Sequence, residues 1–246
     1  MVDIIGGILK ALQLIVTGDP TLYGIVYRSL LFSGVAIVLA ALWGTPIAML
    51  LSLREFRGKS LVKAFFNSLI GIPTVVLGLV LYLLFSNGGP LGFLGLLYTP
   101  GAIILGEAIL VTPILVSITY SAIEAVDPEI MNLAKTLGAN ESQASIAVLK
   151  EAINGVILSN IASFNRAVAE LGVALLVGGN IAGLTDVLTT AISRYTARGE
   201  LDLAIALGII LMVIVFLINA IVIMARKARW LLTIWRRSPG WIEPSP

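Results

Sequence analysis

The chain has no cysteine and no histidine among its 246 residues, and only 12% of them are charged. Without cysteine there are no disulfides and no thiol chemistry. Without histidine there is no imidazole base, and the commonest zinc and haem ligands are gone as well. Redox compartment leaves no trace in such a sequence. A soluble domain carries about a quarter charged residues, so the scarcity of charge excludes an ordinary water-facing fold. The formal net charge of +2 is too small and too dispersed to suggest a nucleic-acid partner.

What fills the space is apolar: 58% of residues are hydrophobic and the mean hydropathy is +1.02. The charges cluster and leave long apolar runs between them. About 20 apolar residues cross a bilayer as a helix, because backbone polar groups in lipid must be satisfied within the segment. Five such runs are read, at 23–52, 64–86, 99–123, 152–177 and 201–225. The first apolar stretch, 4–16, is too short to cross unaided. Its more polar positions Gly6, Lys10, Gln13 and Thr17 recur at helical spacing, which fits a helix lying in the membrane interface better than a signal peptide.

The breaks carry their own signals. Residues 54–59 form a short charged turn, and Ser86-Asn87-Gly88-Gly89-Pro90 is an uncharged loop. Gly178-Gly179-Asn180 ends the fourth span, and Thr185 is expected to cap a short helix running to Ala197. Pro46, Pro73 and Pro113 lie within spans, where bundle packing is favoured over a gating hinge, and Gly71, Gly78, Gly172 and Ala174 offer close helix approach. Lysine and arginine set the orientation. Eleven fall on the side of the first turn, the long loop 124–151 and the tail, against four (Lys10, Arg28, Arg194 and Arg198) on the other. The N-terminus is then expected outside and the C-terminus in the cytoplasm of a multi-pass cell-membrane protein. The basic tail reads as a membrane-surface anchor.

The cytoplasmic loop is the longest polar stretch. Asp127 is an N-cap followed by Pro128 and Glu129, and Ile130, Leu133, Ala134 and Leu137 make one stripe. Gly138 stops that helix in a left-handed turn. Asn140 caps a second, with Gln143 completing a capping box. The loop therefore spells helix, glycine turn, helix, a rigid peg for a soluble partner. Gly58-Lys59-Ser60 looks like the end of a phosphate-binding loop, but Leu53 stands where that motif needs its first glycine. ATP is therefore expected on another chain.

Three ionisable residues fall inside spans away from their ends: Glu107, Arg166 and Glu170. A charge near the bilayer centre costs about 2.5–3.5 kcal/mol on insertion scales, so it faces a partner or a wet cavity. Arg166 and Glu170 are four apart and share a helix face. Either they hold the bundle together, with or without Glu107, or Arg166 and Asn165 line an anion path.

These motifs resemble a known family. The loop, through Leu133-Ala134 and Gly138-Ala139, is similar to the EAA loop of type I ABC importer permeases, whose helices seat on a cytoplasmic ATPase. The family's glutamate position is Asn132 here, and Val148-Leu149-Lys150-Glu151 lacks the family's proline. Ile72-Pro73-Thr74-Val75-Val76-Leu77-Gly78 and Phe164-Asn165-Arg166-Ala167-Val168-Ala169-Glu170-Leu171-Gly172 resemble the second and fourth core helices of molybdate, tungstate and sulfate permeases. Residues 178–193 look most like tungstate-uptake permeases.

The resemblance implies an all-α membrane protein with a five-span core, an N-terminal interfacial helix and a cytoplasmic coupling hairpin. It divides the chain into 1–20, a permease domain 21–226 and a basic tail 227–246. It assigns ATPase coupling to Asn132, Leu133, Ala134, Gly138, Ala139, Asn140, Glu141 and Gln143, while Glu107, Asn165, Arg166 and Glu170 are expected as translocation pathway or intramembrane charge network from their place in the spans. It implies an ATPase pair, an extracellular oxyanion-binding protein and a second copy of the chain, with no cofactor, metal or catalytic residue. Uptake of tungstate or molybdate is expected. Sulfate or another oxyanion, an ATPase-independent channel or ion-coupled transporter, and a membrane-embedded enzyme are the alternatives.

Overall fold

A computed structural model of the chain describes residues 4–237, and residues 1–3 and 238–246 lie outside it. Helix α1 (Ile4–Thr17) leads through Gly18 into α2 (Pro20–Leu53). Asp19 starts α2 by accepting the Leu22 N–H at 2.9 Å, with Pro20 in the first turn, where its missing N–H costs nothing. Then come α3 (Lys59–Leu69), α4 (Thr74–Phe85), a short 3-10 turn, and α5 (Pro100–Glu124). The rest is α6 (Pro128–Thr136), α7 (Glu141–Glu151), α8 (Ile153–Val168), α9 (Gly172–Gly178), α10 (Leu188–Ala197) and α11 (Leu201–Arg237).

Among the described residues, α2, α5 and the Leu201–Ile221 part of α11 are each long and apolar enough to cross a membrane. Two bent pairs, α3 with α4 and α7 with α8, bring the number to five only if each pair counts as one span, and α7 belongs to the 124–151 loop and not to the 152–177 run. Two of the five runs in the sequence are therefore not continuous helices. The 64–86 run bends by 100° between α3 and α4. Pro73, expected inside a span, is instead the residue from which α4 starts. The 152–177 run begins 68° off the axis of α7 and breaks again at 169–171. Pro46 and Pro113 do lie inside α2 and α5.

The centre of the bundle is α5, buried along most of its length between α2, α8 and α9. In lipid there is little hydrophobic drive between helices, so close packing and interhelical hydrogen bonds hold them. The Trp43 indole N–H donates to Thr112 Oγ1 at 2.7 Å, Ser52 Oγ donates to the Tyr120 carbonyl, and the Thr119 and Ser159 hydroxyls lie 2.8 Å apart. Small residues set the remaining distances. A Cβ on Gly155 would lie 2.2 Å from the Ala122 side chain, and one on Gly78 would lie 3.0 Å from the Gly172 carbonyl. The packing role read for Gly78 and Gly172 is therefore visible. Helix α1 closes on α10 and α11 around Ala11, Leu22, Leu188 and Leu207. Helix α11 continues to Arg237, but the side chains of the basic tail, like that of Lys10, lie outside the described residues.

Candidate functional site

At one end of the bundle, α6 and α7 form a hairpin. Asp127 accepts the Glu129 N–H at 2.9 Å and starts α6. Gly138 turns the chain with a φ of +89°, a conformation that costs other L-residues about 1–2 kcal/mol. Asn140 and Gln143 then close a reciprocal capping box, Asn140 Oδ1 accepting the Gln143 N–H at 2.9 Å and Gln143 Oε1 accepting the Asn140 N–H at 3.0 Å. The hairpin stands on a small apolar base of Ile123, Val148 and Ala152, with Ile130 and Met131 packed against it.

The rest of the stripe points away. Leu133 is 61% and Leu137 80% exposed, beside exposed Asn132, Asn140, Glu141 and Gln143, while Ala134 and Ala139 are half-buried. A cleft of about 740 Å³ separates the hairpin from the end of α2, with Met49, Leu53, Met131, Glu141 and Ile146 in its walls. Glu141 sits 3.8 Å from Lys135 and 3.9 Å from Arg54. These exposed pairs contribute little to stability.

The second set lies inside the bundle. Arg166, near the end of α8, donates to Glu170 Oε2 at 2.7 Å. Glu170 stands just past that helix, and its Oε1 accepts the Val173 N–H at 3.1 Å, so the carboxylate also caps α9. Its backbone carbonyl takes the Thr189 hydroxyl. Glu170 is 2% exposed, whereas a third of the Arg166 side chain is open. Glu107 on α5 is equally buried, faced by Ser33 and Glu170, and its Oε2 has no hydrogen-bond partner. Asn165 instead donates to Asn219 Oδ1 on α11 at 3.1 Å. The four residues therefore sit at one level. Arg166 and Glu170 are paired, Glu107 is adjacent but unpaired, and Asn165 is drawn to another helix.

Asn219 and a third cluster, at the far end, emerge in the structure. There Asp186, 1% exposed, receives Arg28 Nη2 at 2.5 Å and Arg194 Nη2 at 3.0 Å. Arg28 and Arg194 had been counted only as surface charges. Arg28 interrupts the apolar run of α2, and that was the available signal. Thr185 is not the cap of α10. Its hydroxyl donates to the Gly178 carbonyl at 2.6 Å and accepts the Ile181 N–H, while Thr190 Oγ1 accepts the Val187 N–H where α10 begins.

Comparison with known proteins decides the class. Residues 29–230 match the family described as binding-protein-dependent transport system inner membrane component. The chain belongs to this family. A tungstate uptake system permease protein, TupB, of Peptoclostridium acidaminophilum is 38% identical over 216 residues, covering 88% of this chain and 95% of that one. The TupB of Campylobacter jejuni is 37% identical, covering 89% and 91%. Among solved structures, the MetNI methionine ABC transporter in inward-facing conformations aligns with a TM-score of 0.70 at 18% identity, covering 86% of this chain and 98% of that one. The fold is thus that of type I ABC importer permeases, and the chain is the permease component of an ABC importer.

Proposed function

We propose that this permease carries tungstate, or the closely similar molybdate, into the cell by alternating access driven by an attached ATPase pair. The observation that carries the mechanism is the hairpin of α6 and α7, rigidly capped at both helix starts yet leaving Leu133 and Leu137 uncovered. Leu133 on α6 and Leu137 at its C-cap are four apart and share one face, and an exposed apolar patch rimmed by polar residues marks a protein-contact site. The tungstate reading is supported by the similarity to two tungstate uptake permeases across nearly the whole chain. In this reading the hairpin end faces the cytoplasm and the Asp186 end faces outside, where an oxyanion-binding protein delivers its cargo. A second copy completes the pathway.

Arg166 suits the path itself. It keeps a third of its side chain open in a helix bundle, where lipid offers it no partner. Glu170 neutralises part of its charge, which keeps a passing dianion from being trapped.

Two measurements test the proposal in cells carrying the complete importer. Labelled tungstate uptake should be blocked by vanadate and by excess molybdate, and poorly by sulfate; uptake blocked best by sulfate would overturn the substrate. The double variant Leu133→Ser, Leu137→Ser should lower copurified ATPase at least tenfold at unchanged membrane level. Full retention of the ATPase would overturn the hairpin's role.

A further inference from the structure

The buried ionic cluster at the far end is not explained by coupling or by the Arg166 level. Its acid comes from the 179–187 loop and its bases from α2 and α10. Asp186 Oδ1 also accepts the Gly183 N–H at 2.9 Å, and Arg28 Nε donates to the Asp186 carbonyl at 3.1 Å. Arg194 Nη1 reaches the Asn180 carbonyl at 3.3 Å. One residue away, Ser29 Oγ on α2 accepts the Leu188 N–H of α10 at 2.6 Å. Below lies the apolar cluster of Leu22, Ile25, Leu188, Ala191 and Leu207.

Replacing a buried ion pair or triad by apolar groups of equal shape is often neutral or stabilising, and the best-attested use of such groups is to fix register. Here Arg28 ties the loop and Ser29 ties α10 to the same turn of α2, while Arg194 joins α10 to the loop. Among the described residues, Arg28 and, at the loop's end, Ser29 supply the polar contacts that fasten this segment to α2.

We propose that Asp186 is a positioning residue for transport: with Arg28 and Arg194 it clamps the 179–187 loop and α10 onto α2, so that the outer face of the permease moves as one rigid piece. The clamp acts by holding position, not by touching the anion. The proposal rests on the transport reading for its use, while the clamp can be measured without any substrate.

Spin labels at Tyr27→Cys on α2 and Ser193→Cys on α10 report the clamp directly in purified importer, since both positions are exposed and the chain has no other thiol. The distance distribution should be narrow in the parent and at least twice as broad with Asp186→Asn. An unchanged width overturns the clamp whatever the protein carries.

Uptake then reads its use. Asp186→Asn should lose at least fivefold in rate at equal membrane level. Ser29 and Leu188 meet through the Leu188 N–H bond at 2.6 Å, and formation of a disulfide between Ser29→Cys and Leu188→Cys is confirmed by mass before the pair is used. Oxidising it in the Asp186→Asn background should bring uptake to within about twofold of the parent, and reductant should abolish the gain. Parent-like uptake by Asp186→Asn, or a loss that the disulfide does not repair, overturns the proposal. Should Asp186→Asn fail to reach the membrane, Arg194→Gln, which leaves Arg28 on Asp186, takes its place in both tests. It is expected to broaden the distribution less and to lose about threefold, again repaired by the disulfide.

Discussion

The hairpin and the broken fourth span both use glycine, a capping side chain and charged pairs, yet they use them oppositely. In the hairpin, Gly138 has nothing within 4 Å of where a Cβ would stand, and is needed for its φ of +89°. At the break, Gly172 needs no special backbone angle, but a Cβ there would lie 2.9 Å from the Val75 backbone nitrogen. Asn140 caps α7 from within the same hairpin, three residues from its partner. Glu170 caps α9 and at the same time neutralises Arg166, so one carboxylate holds two helices. The hairpin is built from local rules on an exposed surface and is expected to tolerate change. The break is built from interlocking contacts in the interior of the bundle, where a single loss spreads.

The largest effect should come from Glu170. Glu170→Ala removes the partner of Arg166 and the cap of α9 together. Breaking a buried pair by removing one member costs about 3–5 kcal/mol, and the third of Arg166 that is open places this one at the lower end. Glu170→Gln keeps an oxygen for the Val173 N–H and should recover about 1 kcal/mol, the usual worth of an N-cap. Thermal unfolding in detergent should rank parent, Gln, then Ala. Equal Tm values for the two variants would show that the cap contributes nothing and the ion pair everything.

Next is Gly172→Ala. Its Cβ would meet Thr74 Oγ1 at 2.8 Å and backbone atoms of Thr74 and Val75 at 2.9–3.1 Å, which no side-chain rotation relieves. Overpacking of this kind costs about 1–3 kcal/mol. A Tm unchanged from the parent would mean that α4 and α9 slide apart freely, and the interlocking description of the break would fail.

These contrasts also explain what was legible in the sequence. The three continuous spans of α2, α5 and α11, the glycine turn at Gly138 and the capping box at Asn140 follow from periodicity and short-range chemistry, and each is present. The break at 70–73 carries Gly71 and Pro73 and the one at 169–171 carries Glu170, but inside an apolar run such residues fit a packed, kinked span as well as a sharp break. Their geometry is set by tight contact between Gly78 and Gly172, some ninety positions apart. Asp186 was missed for the same reason. Its partner Arg28 is 158 residues away, and a lone aspartate in a glycine-containing loop looks like a surface residue. Thr185 was assigned to α10 because it stands near the start of that helix. Its hydroxyl is instead taken up by the Gly178 carbonyl at the end of α9.

The smallest effect should be that of Asn140→Ala, and it is the sharpest probe of the hairpin's independence. The substitution removes the acceptor for the Gln143 N–H, leaving the other half of the box with no reciprocal partner, at a cost of about 1 kcal/mol. Because the hairpin meets the bundle chiefly through Ile123, Val148 and Ala152, that cost should fall on the first turn of α7 and leave the global Tm within error. Hydrogen exchange of the amides of 141–144 should quicken about fivefold, the factor corresponding to 1 kcal/mol, while amides of α5 and α8 stay as in the parent. If the amides of α5 quicken too, the hairpin and the membrane core unfold as one unit. A peg continuous with the core would then carry force by a stiffer route than a capped helix resting on three apolar side chains.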